Sequence, residues 1–369
     1  MMDFHRMTVR SVFYAVAVAL FLGTATDVAS RKASLATLGL LFPLDSLTNA
    51  QAKEAKTEPL LVAADGSEQY RSVQQAIDAL PPEGGTVHIL PGTYREVVTI
   101  SKAHVRLLGS SDPSRVTVVF NKSHSTAGGT LKSASVTVTG DDFFAEGITF
   151  ANDFSLGKPL APEGSQAVAL AVKGDRAVFR NIRLLGAQDT LYVGSKSCAS
   201  EQGPCVPARQ YFSDCYIEGN VDFIFGDAKA FFHRCHIHAL SHEVAFLTAQ
   251  SKHYPAEESG FVFESCRVTA DPTARHVFLG RPWRPYSTVI FLNTHLPANI
   301  EPAGWREWHP GETHSLETAF YAEYKSKGPG ANGKLRDPHA KQLSVKEAQS
   351  YSLREFLSGQ DHWNPVMVQ

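Results

Sequence analysis

One short motif recurs along the middle of this chain: a Phe, two residues, a residue of buried type, one residue, then an aliphatic. It reads Phe179/Ile182/Leu184, Phe212/Cys215/Ile217, Phe232/Cys235/Ile237 and Phe263/Cys266/Val268, with a looser copy at Ala145/Ile148/Phe150. The Phe positions step by 33, 20 and 31 residues. The shortest step defines a unit of roughly 20 residues, and the longer steps hold insertions at Ser195 to Ala208 and Ser251 to Ser259. Each unit consists of short alternating apolar segments broken by Gly, Asp and Asn, with no sustained helical period, so it is built of strands and turns. A unit this small cannot bury its apolar face alone, and stacking the units makes the core continuous. The expected fold is therefore all-β, a parallel β-helix. Equivalent positions on successive rungs then lie roughly 4.7 to 4.9 Å apart.

The rung geometry sets the reading of the cysteines. Cys215, Cys235 and Cys266 occupy the column where Ile182 sits. Two readings stand: small core residues stacked in register, or a Cys215–Cys235 disulfide, since neighbouring rungs bring Cα atoms within bridging range. Cys198 and Cys205 flank a Gly/Pro-containing stretch and are placed to staple a surface loop. Before the repeat, Tyr70 to Leu80 carries Val73, Ala76, Ile77 and Leu80 at helical spacing and ends at Pro81-Pro82, which predicts an N-terminal capping helix on the first rung. After Pro302 the repeat fades into an aromatic tail with Trp305, Trp308, Tyr321, Tyr324 and Trp363, read as a segment covering the solenoid.

At the N-terminus, Arg6 and Arg10 precede an apolar run from Val12 to Gly23 and small residues near Ala25 and Ala29. This pattern is a secretory signal over residues 1–29, with cleavage anywhere between about Ala25 and Ala52. The run is shorter than the roughly 20 apolar residues of a spanning helix, so no stable membrane insertion is expected after cleavage. Residues 30–58 read as a linker, and 59–369 as the folded β-helix domain. Export places the protein outside the cell or in a periplasm, where disulfides persist. With 35 Lys+Arg against 37 Asp+Glu, and a net charge of -2, the chain lacks the basic excess of a nucleic-acid binder.

Four residues stand out once the rungs are counted. Gln166 and Gln188 are 22 residues apart, about one unit, and Asp189 and Asp222 are 33 apart, about one unit without the Cys198–Cys205 insertion. The rung count is expected to bring all four together, with Gln188, Asp189 and Asp222 facing one patch of one sheet. Asp222 sits in the apolar stretch Val221 to Gly226, and a carboxylate there needs compensation. Backbone turn amides would suffice, but Arg281, on the Pro-stiffened loop Gly280-Arg281-Pro282-Trp283, supplies a guanidinium partner. Paired so, Asp222 is expected to keep a low pKa and act as an anionic nucleophile. Asp189, near apolar surface and a second carboxylate, is expected to be raised and protonated. Two Gln amides add donors for a developing oxyanion. The combination suits acyl transfer and needs no cofactor, and neither an HExxH nor a Cys/His ligand spacing calls for a metal.

At this point the residues carry a resemblance. The chain resembles the pectin methylesterases (pectinesterases), a carbohydrate esterase family with a single-stranded right-handed parallel β-helix. The shared stretches are GTYRE (Gly92 to Glu96), LKSASV (Leu131 to Val136), QAVAL (Gln166 to Leu170), QDTLYV (Gln188 to Val193), GNVDFIFGDA (Gly219 to Ala228), LGRPW (Leu279 to Trp283) and AGW (Ala303 to Trp305), in the family's order. The resemblance implies Asp222 as nucleophile, Asp189 as general acid and then base, Gln166 and Gln188 as the anion hole, and Arg281 as the group that orients Asp222. It also implies substrate contacts from Thr130, Gln166, Tyr192, Phe225, Arg281 and Trp283, with pectin as the partner. No sequence feature demands an oligomer, so a monomer is the expected working form. Glu96 is read as a turn-stabilising residue. The loop before Gln166 and the Cys198–Cys205 insertion are longer than is usual in plant members, and no inhibitory pro-region of the plant type is expected.

Three rivals are separable by assay. A polygalacturonase also uses paired carboxylates but gives the two Gln and LGRPW no role, and it would release reducing ends in place of methanol. A pectate lyase would need a carboxylate-rich Ca²⁺ site and would be sensitive to EDTA. A non-catalytic carbohydrate-binding relative would release no methanol at all.

Overall fold

The computed structural model describes residues 58–156, 163–200 and 203–368. The expected export signal, the linker up to residue 57 and much of the loop before Gln166 lie outside the described residues. Within them the repeat winds into three parallel sheets of 11, 7 and 6 strands. One turn shows the plan: Arg209–Ser213 lies in the first sheet, Tyr216–Gly219 in the second and Ile224–Gly226 in the third, and Lys229–His233 then returns to the first. This is the right-handed parallel β-helix that the spacing and the resemblance predict.

The motif is legible in the geometry. In the first sheet Phe179, Phe212, Phe232, Phe263 and then Phe291 pair in register. Their rings stack at 4.6, 4.9, 4.5 and 4.7 Å between centroids. Ala145 holds the same column beside Phe179, which is why the first copy lacks its ring. In the second sheet Phe150, Leu184, Ile217, Ile237 and Val268 form the aliphatic column. Between the two sheets one residue per rung bends the chain with positive φ: Asn181 (47°), Asp214 (56°), Arg234 (52°), Ser265 (55°) and Asn293 (51°). A left-handed residue reverses the pleat, so Phe212 before it and Cys215 just after it both face inward. That turn explains the two-residue gap in the motif.

The stacked reading of the cysteines holds, and the Cys215–Cys235 disulfide is corrected. Cys215, Cys235 and Cys266 are buried and free. Their thiols approach main-chain carbonyls instead, Cys215 Sγ to Ser213 O at 3.2 Å and Cys235 Sγ to Phe212 O at 3.5 Å. In-register β carbons on neighbouring rungs point the same way at roughly one strand spacing, whereas a disulfide draws them to about 3.8 Å. Cys198 and Cys205 do form a bridge, closing the antiparallel pair Ser197–Cys198 and Cys205–Val206.

Helix α1 (Val73–Ala79) buries Val73, Ala76 and Ile77 over the first rung. Its N-terminus is held by Glu96, which accepts from Ser72 Oγ (2.6 Å), Val73 N (2.8 Å) and Gln74 N (3.0 Å). Glu96 is thus a turn-stabilising residue, as read. The tail does two things. Phe320–Tyr324 and Lys341–Gln342 extend the first sheet past the point where the motif fades, and Trp305 stacks on Tyr321 at 4.0 Å to close that end of the core. Helices α2 (Val345–Gln349) and α3 (Leu353–Leu357) then cover the outer face of the same sheet, where Val178, Tyr211, Phe231, Val262 and Ile290 are apolar. Over these strands both faces of the sheet are therefore apolar, as is usual for a parallel sheet. No helix among the described residues is long and apolar enough to cross a membrane.

Candidate active site

The third sheet stacks Leu170–Val172, Leu191–Val193, Ile224–Gly226 and Thr248–Gln250, with Leu170, Leu191, Ile224 and Thr248 in register. Asp189 and Asp222 each lie two residues before their strand, so the register stacks them on neighbouring rungs, and Asp189 N donates to Val221 O at 3.1 Å. Both take the left-handed conformation, at φ 63° and 51°. Asp tolerates that region better than most residues, and here it turns both side chains toward one cleft. Gln188 precedes Asp189, and Ala167 N donates to Gln188 O at 3.1 Å. Gln166 is therefore one residue off strict register with Gln188 yet still enters the cleft.

Arg281 arrives on a loop that docks beside the last strand of this sheet: Arg281 N donates to Thr248 O (3.0 Å) and Trp283 N to Gln250 O (3.1 Å). Gly280 permits the approach, because a Cβ there would stand 2.0 Å from Thr248 Oγ1. The guanidinium forks onto Asp222, Nε to Oδ1 at 2.9 Å and Nη2 to Oδ2 at 2.6 Å. Its central carbon lies over the rings of Phe246 (4.2 Å) and Trp308 (4.1 Å).

These groups open on a cleft of about 420 Å³ that brings together every site residue expected from the sequence: Thr130, Gln166, Gln188, Asp189, Tyr192, Asp222, Phe225, Arg281 and Trp283. Its aromatic wall runs from Tyr192 to Phe225 (5.1 Å between centroids) and on to Trp283 (6.1 Å). Leu131, Ala249, Trp308 and His309 also line it. Trp308 was read only as a tail aromatic. Nothing local marks it, since its role depends on the tail folding back over Arg281. Leu131 adjoins Thr130 and is 41% exposed, an unusual position for a large apolar side chain.

The electrostatics agree with the sequence reading for one carboxyl and correct it for the other. Asp189 is 8% exposed, and burial, reinforced by the charge of Asp222, holds its pKa well above the ordinary Asp value. Asp222 was expected to stay low. At 5% exposure its burial outweighs the hydrogen bonds and charge of Arg281, so its pKa is raised as well. The ordering survives, because Arg281 bonds Asp222 directly and opposes its shift, whereas among the described residues no cation hydrogen-bonds Asp189. The pair therefore offers one ionisable carboxylate and one carboxylic acid beside two primary amides. That set can attack an acyl carbon, hold an oxyanion and protonate a leaving group. Among the described residues one group has metal-ligand spacing, Cys198, Cys205 and Asp227. Its two sulfurs are joined to each other, which leaves no thiolate to ligate.

A family model described as Pectinesterase matches residues 59–360. Pectinesterase 31 of Arabidopsis thaliana is 37% identical over 319 residues, which cover 82% of this chain and 93% of that protein. Other Arabidopsis relatives have names that join pectinesterase to pectinesterase inhibitor, and this chain spans about half of their length. A solved pectin methylesterase from carrot superposes with a TM-score of 0.74 at 31% identity, covering 84% of this chain and 96% of that one. A pectin methylesterase solved in complex with a hexasaccharide superposes with a TM-score of 0.68 at 28% identity, covering 84% of this chain and 99% of the other.

Proposed function

We propose, from the premise that the chain belongs to the pectinesterase family, that it demethylates pectin through Asp222 and Asp189. The enzyme hydrolyses the C6 methyl esters of homogalacturonan to demethylated pectin and methanol. Asp222 Oδ attacks the ester carbonyl carbon, and the carbonyl π pair moves onto oxygen. The side-chain N–H groups of Gln188 and Gln166 stabilise that oxyanion. Its collapse breaks the bond to the methoxy oxygen, which takes the proton of Asp189 and leaves as methanol. The acyl group is now an anhydride on Asp222. Asp189, ionised by the first step, takes a proton from water as the water attacks the same carbon. Collapse of this second intermediate frees the galacturonate carboxyl and regenerates Asp222 as a carboxylate beside Arg281.

The observation that carries this reading is the forked Asp222–Arg281 pair stacked one rung from a buried carboxyl that has no such partner among the described residues. Thr130, Tyr192, Phe225 and Trp283 hold the polymer, the aromatics stacking on sugar faces, and the cleft geometry supports this. The same reading takes residues 1–29 as a signal, 30–58 as a linker and 59–369 as the catalytic domain of a secreted monomer. The Cys198–Cys205 bridge, a bond that persists in oxidising compartments, supports export. Methanol release from highly esterified pectin tests the chemistry. Asp222→Asn and Asp189→Asn should each lose nearly all turnover with circular dichroism unchanged. Parent turnover in either variant would sink the assignment.

A further inference from the structure

The insertion at Ser251–Ser259 takes no part in the steps above, yet it stands directly behind the cleft wall. Its buried Glu257 accepts from His253 main-chain N at 2.6 Å and fixes the turn. The His253 side chain, 15% exposed, then meets Arg284, whose Nε lies 3.2 Å from His253 Nε2. A guanidinium can only donate, so Nε2 is the acceptor in this contact, and His253 Nδ1 lies 3.8 Å from Glu257 Oε2. Arg284 in turn closes on Trp283. Its Nη1 donates to Trp283 O at 2.9 Å, and its guanidinium carbon lies 5.0 Å from the centre of the indole. A second tie, Tyr286 N to Lys252 O at 3.0 Å, fastens the two segments together. The insertion itself leans on the disulfide hairpin, for Tyr254 Oη stands 2.6 Å from where a Cβ on Gly203 would be.

We propose that His253 and Arg284 are positioning residues for Trp283, through which the Ser251–Ser259 insertion sets affinity for the polymer without entering the chemistry. The inference rests on the reading of Trp283 as a sugar-stacking residue. An indole gripped from behind by a cation and by its own carbonyl loses little freedom on binding, so substrate is met by a surface already in place. Without Arg284 the indole keeps its place in sequence but loses its fixed angle. The loss then falls on binding, because among the described residues no hydrogen bond or ion pair joins His253 or Arg284 to Asp222, Asp189 or the two Gln.

The test measures methanol release against esterified-pectin concentration for Trp283→Ala, Arg284→Ala, His253→Ala and His253→Gln, with thermal melts to confirm folding. Arg284→Ala and His253→Ala should raise KM roughly three- to tenfold while kcat stays within about twofold of the parent. His253→Gln, whose side-chain oxygen can accept from Arg284 Nε, should return KM to the parent value. Trp283→Ala combined with Arg284→Ala should raise KM no further than Trp283→Ala alone. A parent KM in Arg284→Ala, with Trp283→Ala raised, overturns the positioning role and leaves the stacking role standing. A parent KM in Trp283→Ala overturns the stacking role and the proposal with it. A fall in kcat at constant KM in Arg284→Ala, or no rescue by Gln at position 253, also overturns it.

Discussion

Phe179 and Asp189 share one turn of the solenoid, and Phe212 and Asp222 share the next. The turns therefore repeat two columns at once, on different sides of the same core. On the first sheet the repetition is favourable at every step: each ring stacks at 4.5 to 4.9 Å on its neighbour, and burial adds to each contact. On the third sheet the same register brings two carboxyls together where neither is well hydrated. A parallel β-helix imposes like on like. For apolar side chains that is a gain, and for acids it is a cost that must be offset from elsewhere in the chain. Arg281 and the rings of Phe246 and Trp308 that it lies over supply that offset.

The comparison can be broken from either side. The largest effect is expected at Phe232, fully buried between Phe212 and Phe263. Phe232→Ala should cost about 3–5 kcal/mol of stability, read by denaturant unfolding, while the folded fraction keeps its parent kcat. A lost kcat with parent stability would show that the two columns are not separable. Next comes Arg281→Lys, which keeps the charge and loses the fork. It should lower kcat/KM by roughly 10- to 100-fold in the methanol assay. A change within about twofold would mean that charge alone holds Asp222.

The smallest effects are in pH. Turnover rises with pH as Asp222 ionises and falls as the more strongly raised Asp189 loses the proton it must donate, so kcat/KM should be bell-shaped. Its acid limb should lie above the ordinary Asp value, and both limbs belong to the coupled pair. The same shifts act on stability. Both folded pKa values are raised, so the folded state binds more protons than the unfolded chain between the ordinary carboxylate value and the raised ones. Stability must fall as pH rises through that window. Asp189→Asn should flatten this slope and raise Tm at neutral pH by on the order of a few °C. A lower Tm there would show that the Asp189 carboxyl is stabilising, and that the third sheet does not carry the cost assigned to it.

Much of this is readable in the sequence, for a definite reason. The columns are set by local spacing, and a solenoid turns local spacing directly into contact. Phe179, Phe212, Phe232 and Phe263 could be stacked on paper, and Asp189 and Asp222 could be brought together by removing one insertion. What escaped was whatever depends on segments remote in sequence. Trp308 meets Arg281 only because the tail folds back, and His253 meets Arg284 only because two loops dock. The possible Cys215–Cys235 bridge failed on a difference of about 1 Å between rung spacing and disulfide geometry, which no count of residues contains.

By itself, then, the sequence determined the repeat, the inward and outward faces of each rung, and which residues meet in the cleft, because each follows from periodicity and residue chemistry. Only the tertiary structure decided the direction in which its two carboxyls shift. Arg281 was identified as the partner of Asp222 from the sequence, but whether its charge or the burial of the carboxyl prevails depends on how completely water is excluded. That exclusion is made by Phe246, Trp308 and the neighbouring rungs together, and desolvation, unlike pairing, has no signature in the spacing of residues.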